Sequence, residues 1–383
     1  MTSLRGITWD HPRGYQPLRA IASAWKEKTN VELNWDIRTL KEFGDYPVER
    51  LIDLYDLIIL DHPYVGSAAA NQSLLPLDDF LDASFLKVQQ EQSIGESFSS
   101  YWYSNHCWAL PVDAAAQVAA YRKDITDVID WKLPEDITKL HEAVALLPKE
   151  YSVGIPLCPT DLWCVFLTLC AQYSDGNVFI EGGIDMTAGV WALEQLRSWK
   201  SFLYETSFML NPVQMLEYMS EKNDIIYIPF TFGYTNYARK GWRNNLIHFC
   251  NSPKCSSEGK STILGGAGLA ISANTSHVKE CLDFMQFILS TDIQKQEYYK
   301  NGGQPAHLTA WLDEGNNSDC SSFFSDTMDT MNKAFIRPRH PGFNLFQEKA
   351  ADFVHENVLF DSPAQEVIRK LNVIYQTTCD EKI

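Results

Sequence analysis

Two short segments repeat an acid, an imidazole and a proline at widely separated points of the chain. Residues 9–15 read WDHPRGY and residues 60–66 read LDHPYVG, so Asp-His-Pro occurs in both. A carboxylate accepts hydrogen bonds from hydroxyl groups, and an imidazole can donate or accept one. The two tripeptides therefore predict loops that hydrogen-bond a polar ligand. Alternatively, one side chain from each pair could bind a metal ion, or the tripeptides could only cap loops.

Other residues that could do covalent chemistry are few. Cys107 stands next to His106 and could act as a nucleophile if a base lay beside it. Cys158, Cys164 and Cys170 recur every six residues, which predicts free thiols in a core rather than a zinc site. The chain contains no nucleotide-binding, zinc-protease, calcium-loop or serine-hydrolase motif. We therefore expect no metal and no cofactor.

Aromatic residues supply a second kind of candidate contact. Five of them stand beside Asp, Gly or Pro at predicted strand ends or loops, namely Trp9, Tyr64, Trp163, Phe232 and Tyr234. Each could belong to a core. Together they suit a ligand with polar edges and an apolar face, which describes a sugar ring.

The segments that carry the two tripeptides alternate between strand and helix patterns. Strands are predicted at residues 4–9, 31–37 and 55–61, and a helix between the first two at 15–30. This alternation predicts a parallel α/β sheet, and open α/β sheets bind ligands at the carboxyl ends of their strands. Because Asp10 and Asp61 each follow one of these strands, we expect them on one rim of one cleft.

The middle of the chain predicts a crossing between two domains. Residues 107–125 read as a strand, a stretch of small residues and a second strand, and we expect hinges near 110–114 and 258–263. Beyond the crossing, strands are predicted within 224–241 and 261–272, a helix at 277–290 and a loop at 312–322. The C-terminal third reads as helical.

Length and composition limit the possible classes of protein. A chain of 383 residues with 45% hydrophobic and 21% charged residues is globular and long enough for two domains. The formal net charge of −17 argues against nucleic acid and anionic membrane surfaces, which both attract basic proteins. The protein is expected to be a monomer with a small-molecule partner.

The cysteines and the N-terminal segment bear on the compartment. Nine cysteines are more than an exported protein usually leaves unpaired, and no apolar run approaches the roughly 20 residues that span a bilayer. The first residues also lack the apolar region of a signal peptide. We expect free thiols and a cytoplasmic location for the chain as written, or a location outside the cytoplasm if a leader was removed.

Several longer segments, taken in order, resemble one known family. They are ITWDHPRGYQPLRAIASAWKEKTNVELNW, YDLIILDHPYVGSAAANQSLLPLDDFL, CWALPVDAAAQVAAYRKDI, DIIYIPFTFGYTNYA and LGGAGLAISANTSHVKECLDFMQFILSTDIQ followed by NGGQPAH. Over essentially the whole length the chain resembles bacterial extracellular solute-binding proteins of family 1. These are the carbohydrate-type, maltose-binding-protein-like components of ABC importers.

The resemblance implies an α/β, two-lobed periplasmic-binding-protein-like fold of type II, with a cleft between hinged lobes. It implies an N-terminal lobe of residues 1–112 plus 261–310 and a C-terminal lobe of residues 113–260 plus 311–383. The ligand-binding positions that it implies are Trp9, Asp10, His11, Asp61, His62, Tyr64, Asp113, Gln117, Asp161, Trp163, Phe232, Tyr234, Gly266 and Arg337.

The function implied is the capture of a small polar solute, a carbohydrate or polyol, for an ABC permease. An alternative is a cleft enzyme on the same fold that resembles thiaminase I and uses Cys107 as its nucleophile. A second alternative is a cytoplasmic sensor that signals to a partner. The family resemblance favours the binding protein.

Overall fold

The computed structural model describes residues 2–45, 47–255 and 259–380. Its strands are β1 (Ser3–Trp9), β2 (Glu32–Arg38), β3 (Leu57–Leu60), β4 (Trp102–Tyr103), β5 (His106–Cys107), β6 (Leu110–Tyr121), β7 (Ser152–Val153), β8 (Phe179–Ile180), β9 (Gly183–Ile184), β10 (Ile225–Phe232), β11 (His248–Cys250) and β12 (Leu264–Ile271). The strands and the helix predicted for the first 61 residues are thus confirmed.

Helices cover both faces of the main sheet. They are α1 (Pro12–Thr29), α2 (Leu40–Asp45), α3 (Val65–Ala70), α4 (Ala83–Glu91), α5 (Lys123–Thr126), α6 (Leu140–Ala145), α7 (Pro159–Ser174), α8 (Met186–Trp199), α9 (Pro212–Glu221), α10 (Val278–Ile288), α11 (Leu308–Trp311), α12 (Glu314–Asp319), α13 (Phe323–Asn332), α14 (Phe343–Leu359) and α15 (Ala364–Asp380). No helix of the described residues is long and apolar enough to cross a membrane.

The main sheet runs in the order β2-β1-β3-β12-β6-β10-β7, and β11 pairs with the far part of β6. Strands β1, β2 and β3 are parallel, whereas β12 is antiparallel to both β3 and β6. The carboxyl ends of β1 and β3 therefore lie at one edge of the sheet. The chain segments that follow them are the two Asp-His-Pro tripeptides.

Strand β6 is a single strand of twelve residues that belongs to both halves of the sheet. Its first part pairs with β12, and its second part pairs with β10 and β11. The sequence had been interpreted as two strands separated by a small-residue stretch, and that interpretation is wrong. Residues 114–116 are alanines that continue the ladder, because their small side chains fit a strand buried on both faces.

Glycine lets β12 cross closely beside β6. Gly266 has a φ of +100°, and a Cβ at that position would lie 2.5 Å from the carbonyl oxygen of Asp113. A Cβ on Gly265 would lie 2.6 Å from the ring of Phe232. The Gly-Gly pair thus brings two strands and an aromatic side chain within contact, which only glycine permits here.

Separate hydrophobic cores lie at the two ends of the sheet. One set packs on β1, β2 and β3 and includes Leu18, Ile21 and Phe284 from the flanking helices. Another surrounds α7 and includes Trp199 and Val354. Two lobes follow from this division. The predicted boundary after residue 112 falls within β6, the one after residue 260 falls shortly before β12, and the one after residue 310 falls within α11. These lobe limits stay predictions. Residue 258 of the second predicted hinge lies outside the described residues.

Two further expectations can be compared with the structure. The segment 312–322 was predicted to be a loop, but it contains the short helix α12. Asp313 caps this helix by accepting from the Asn316 amide, and the Asn316 side chain donates to two main-chain carbonyls of neighbouring segments. Its turn-forming residues therefore stabilise a helix end rather than a loop. None of the nine cysteines, all within the described residues, forms a disulfide, as predicted.

Candidate functional site

A cavity of about 710 Å³ lies between the two lobes. Its walls come from the segments after β1 and β3, from the crossing strands, and from α7, the segment after β10 and α14. Ten of the fourteen residues that the family resemblance implies as ligand-binding line it: Trp9, Asp61, Tyr64, Asp113, Asp161, Trp163, Phe232, Tyr234, Gly266 and Arg337.

The first Asp-His-Pro tripeptide begins helix α1. His11 is the N-cap: its Nδ1 accepts from the Arg13 amide at 3.0 Å, and Pro12 occupies the first helical position. The His11 ring packs edge-on against Tyr234, with centroids 4.7 Å apart. Burial, helped by the nearby Arg13, lowers the pKa of His11 to about 3, so this imidazole is neutral at pH 7. It positions the loop and does not line the cavity.

This helix start places Arg13 in the cavity. The guanidinium binds Asp113 through two hydrogen bonds, Nε to Oδ2 at 2.8 Å and Nη2 to Oδ1 at 2.5 Å. Its Nη1 donates to the carbonyl of Gly233 at 2.6 Å, and the group lies 4.7 Å from the centre of the Tyr234 ring. Arg13 thereby joins the first helix, the crossing strand and the segment after β10. The sequence analysis did not identify it.

The second Asp-His-Pro tripeptide holds the other arginine of the cavity. Asp61 accepts from Arg337 Nη2 at 2.5 Å and from the His62 amide at 2.8 Å. Burial would raise the pKa of Asp61, but the Arg337 charge and the His62 hydrogen bond outweigh it, and the pKa lies well below the usual range. Asp61 is therefore a carboxylate at every physiological pH.

Four of the predicted site residues do not line the cavity. Asp10 is exposed at the end of β1. His11 caps α1, and His62 is fully buried with its Nε2 accepting from the Arg337 amide at 3.3 Å. Gln117 accepts from the Thr168 hydroxyl at 2.6 Å beneath α7. None of these four side chains lines the cavity in which a ligand would bind. Asp10 and Asp61 were expected on the same rim of the cleft, but only Asp61 lines it.

The aromatic residues differ in how much they can offer a ligand. Trp163 lines the cavity but is only 1% exposed, because it stacks on Phe166 with centroids 5.5 Å apart and meets Phe346 edge-on. Phe232 is half-buried at the end of β10, where its ring lies beside Gly265 of strand β12. Rings on opposite walls of one cavity can cover the faces of a flat ligand.

Cys107 does not have the surroundings of a nucleophile. It is fully buried away from the cavity, its amide donates to Asp78 at 2.8 Å and its thiol donates to the Ala109 carbonyl at 3.2 Å. Burial, with the Asp78 charge, raises the pKa of this thiol well above the usual range. The structure therefore gives Cys107 none of the surroundings that the enzyme alternative requires of it.

Two other cysteines do line the cavity, at the start of α7. The Cys158 thiol donates to Asp161 Oδ2 at 3.0 Å, and Cys164 lies further along the same helix. Burial and the Asp161 carboxylate raise the pKa of Cys158 well above its usual range, which keeps it a thiol. The sequence analysis predicts a core position for both: Cys164 does belong to the buried core around α7, whereas Cys158 is only partly buried.

Metal-ligand geometry occurs elsewhere. Within the described residues, one group of His, Cys, Asp or Glu brings its ligand atoms close enough, namely Asp78, Asp79 and His106. Here His106 Nδ1 is already 3.0 Å from Asp78 Oδ2. The group does not line the cavity. The four residues of the two tripeptides do not form such a group, because Asp61 and His62 are engaged with Arg337.

The wall formed by α14 was also not foreseen. Seven residues in or just before this helix line the cavity: Gly342, Asn344, Leu345, Gln347, Glu348, Ala351 and Asp352. Only Arg337 had been expected from this part of the chain. The helical pattern of the C-terminal third was visible in the sequence, but nothing in it showed which face would meet the first lobe.

Fold and cavity together define a two-lobed periplasmic-binding-type protein with a ligand cleft. The sequence of residues 52–314, more than half of the chain, matches the family described as bacterial extracellular solute-binding protein. The chain belongs to this family, and the predicted resemblance is confirmed. A search of curated proteins found no match.

Solved structures share the fold at low sequence identity. An ABC transporter solute-binding protein from Agrobacterium radiobacter, in complex with ribitol, has a TM-score of 0.83 and 18% identity, with 97% of each chain covered. A maltose-bound protein from T. maritima has a TM-score of 0.83 and 14% identity, with 98% of this chain and all of that chain covered. UgpB of Mycobacterium tuberculosis, in complex with glycerophosphocholine, has a TM-score of 0.79 and 13% identity, with 98% of this chain and 99% of that chain covered.

Proposed function

We propose that this protein binds a carbohydrate or a polyol in the cavity between its lobes and delivers it to an ABC permease. The observation that carries the proposal is the composition of this cavity, in which the side chains of Asp61 and Asp113 are each bound by an arginine among aromatic walls. Carboxylates accept hydrogen bonds from hydroxyl groups, and aromatic rings cover the apolar faces of a sugar.

The volume and the relatives support the same class of ligand. A cavity of about 710 Å³ is within the usual range of about 300–1,000 Å³ for small-molecule sites. Ribitol, maltose and tagatose are bound by structurally similar proteins, and two of those proteins are described as ABC transporter solute-binding proteins. A monomeric binding protein without catalytic activity is the form that this function requires.

The proposal is tested by thermal unfolding of the purified protein with a panel of neutral sugars and polyols that includes ribitol, maltose and tagatose. A ligand at 100 times its dissociation constant should stabilise the fold by about 2.7 kcal/mol. A panel in which no member raises the unfolding temperature contradicts the proposal.

Matched tryptophan variants tie the binding to this cavity. Trp163→Ala removes a cavity wall and should weaken binding of the best panel member by about tenfold or more, or about 1.4 kcal/mol. Trp199 is likewise fully buried but lies outside the cavity. Trp199→Ala should therefore lower stability without changing that dissociation constant, and equal losses of affinity in both variants would contradict the assignment of the site.

A further inference from the structure

The charged residues of the cavity are unequal in number. Nine charged side chains of the described residues line it: the cations Arg13, Lys41 and Arg337, and the carboxylates Glu49, Asp61, Asp113, Asp161, Glu348 and Asp352. Carboxylates thus outnumber cations by three. A ligand that enters this cavity experiences a local excess of negative charge, which water screens less once the cleft encloses the ligand.

Both buried guanidinium groups are already bound to carboxylates. Arg13 binds Asp113 through two hydrogen bonds and gives its remaining terminal nitrogen to the Gly233 carbonyl. Arg337 binds Asp61, and its other terminal nitrogen faces Gln347 at 3.4 Å. A phosphate or carboxylate ligand that took the terminal nitrogens of either arginine would displace its carboxylate, which would leave a buried negative charge without its partner. Within the described residues, only the Nε of Arg337 has no hydrogen-bond partner in these two guanidinium groups.

Two of the helix starts at the cavity are occupied in the same way, whereas α14, whose first residues also line the cavity, has neither a side-chain cap nor an acidic residue in its first turn. Helix α7 has Asp161 in its first turn, so the positive end of its dipole is already offset by a carboxylate. Helix α9 begins with a capping box, in which Asn211 accepts from the Gln214 amide at 2.9 Å and the Gln214 side chain accepts from the Asn211 amide at 3.0 Å. Neither helix start offers an anion the amide groups that such sites use.

Two carboxylates stand at the cavity mouth on α14. Glu348 and Asp352 are one turn apart, both exposed, and neither forms an ion pair with a described side chain. Lys41 is the one lining cation of the described residues without such a pair, and it is exposed on the opposite side. One exposed lysine in water cannot offset the two acids of α14 together with Glu49 on its own side.

We propose that the cleft selects against anionic ligands and that Glu348 and Asp352 impose much of this selection at its mouth. The ligand is then a neutral or cationic polyhydroxylated compound, such as a sugar, a polyol or an amino sugar, and not a sugar acid or a sugar phosphate. This inference rests on the proposed function, because it specifies the charge of the ligand that the same cavity holds.

The test uses sets of sugars in which one functional group, and with it the charge, is changed. Glucose, glucuronate and glucosamine form one set; galactose, galacturonate and galactosamine form another; ribitol and ribonate form a third. Dissociation constants are measured by calorimetry at low and at 0.5 M salt. At low salt each acid should bind about tenfold or more weakly than its neutral counterpart, each amine should bind at least as tightly, and salt should reduce these differences.

Charge-neutralising variants locate the selection. In Glu348→Gln/Asp352→Asn, the ratio of acid to neutral dissociation constants should fall by about threefold or more at low salt. The control Glu27→Gln/Glu356→Gln also removes two exposed carboxylates, one of them on α14, but neither lines the cavity. If the charge at the cavity mouth, and not the net charge of the protein, weakens the binding of acids, the control's ratio of acid to neutral dissociation constants should stay within about twofold of the wild-type value.

The outcomes separate this inference from the proposed function. If neutral and acidic members bind equally, or an acid binds more tightly, the charge inference is wrong while binding in the cavity stands. If the control pair lowers the ratio as much as the α14 pair, the assignment to Glu348 and Asp352 is wrong. If no member of any set binds, the proposed function fails and the charge inference fails with it.

Discussion

Removal of Arg13 should destabilise the protein far more than removal of an exposed arginine. In Arg13→Met the Asp113 carboxylate, 2% exposed in the native protein, would remain buried without its guanidinium. Breaking a buried ion pair in this way costs about 3–5 kcal/mol. The matched control is Arg5→Met, because Arg5 and Asp36 form a pair at 2.9 Å that is about half exposed. An exposed pair contributes about 0–1 kcal/mol.

The assay is urea unfolding of a double-mutant cycle at pH 7. Arg13→Met/Asp113→Leu replaces both partners by apolar groups, and it should recover most of the stability that Arg13→Met loses. Burial raises the pKa of Asp113, and Arg13 opposes this rise, so the pKa should be higher still in Arg13→Met. A carboxylate with a raised native pKa becomes protonated, and so loses its destabilising charge, as the pH falls. The difference in free energy of unfolding between the wild type and Arg13→Met should therefore become smaller from pH 7 to pH 5. A loss below about 1 kcal/mol for Arg13→Met, or strict additivity in the cycle, would refute this reasoning.

Three more predictions follow from single contacts. Asp61→Ala should weaken binding of the best panel sugar by about tenfold or more, whereas Cys107→Ser, away from the cavity, should leave the affinity unchanged in calorimetry. Gly266→Ala should lower the free energy of unfolding by at least about 1–3 kcal/mol, because the positive φ and a contact at 2.5 Å both oppose a Cβ at this position. The control Gly44→Ala has open space around the new Cβ and should be close to neutral; urea unfolding measures both variants. Burial and Arg337 lower the pKa of His62 to about 4 from 6.5, so the free energy of unfolding should fall as the pH drops from about 6.5 to 4. His62→Gln should make the free energy of unfolding depend less steeply on pH in this range, and an unchanged dependence would contradict the prediction.

Local patterns were enough to predict most of the fold. The alternation of strands and helices at the start of the chain, the continuous apolar run of β3 and the amphipathic helix α10 all appear where periodicity placed them. The error at β6 has a local cause, because a run of alanines resembles a linker unless the partner strands on both sides are known. Only the tertiary contacts of β12 and β10 show that it is a strand.

The contents of the cavity were harder to predict, because they depend on partners far apart in sequence. Arg13 and Asp113 are 100 positions apart, and Asp61 and Arg337 are 276 apart. Gln117 lies two residues beyond Ala115 in β6 and so on the same face of the strand as Asp113 and Ala115, which line the cavity. Helix α7 nevertheless covers Gln117, because its Thr168 donates a hydrogen bond to the Gln117 side chain. The sequence could therefore suggest polar positions near the cleft, but it could not show which of them are exposed to it.

The role of histidine in the Asp-His-Pro tripeptides is likewise a matter of tertiary context. In the first tripeptide the imidazole caps a helix and the acid is exposed; in the second the acid lines the cavity and the imidazole is buried. The proline is at a helix start in both. Both tripeptides thus start a helical turn after a strand, but His11 caps the first turn and Asp61 caps the second, a short 3-10 turn at His62–Tyr64; only Asp61 reaches the cavity.

The central claim is that a polyhydroxylated solute occupies the cavity between the lobes. The most direct test is a crystal structure of the protein grown with a saturating concentration of the tightest-binding member of the sugar and polyol panel. The account predicts density for one ligand in contact with Asp61 and with residues of the opposite lobe such as Phe232. Density for the ligand outside this cavity, with the cavity itself containing only water, would contradict the account.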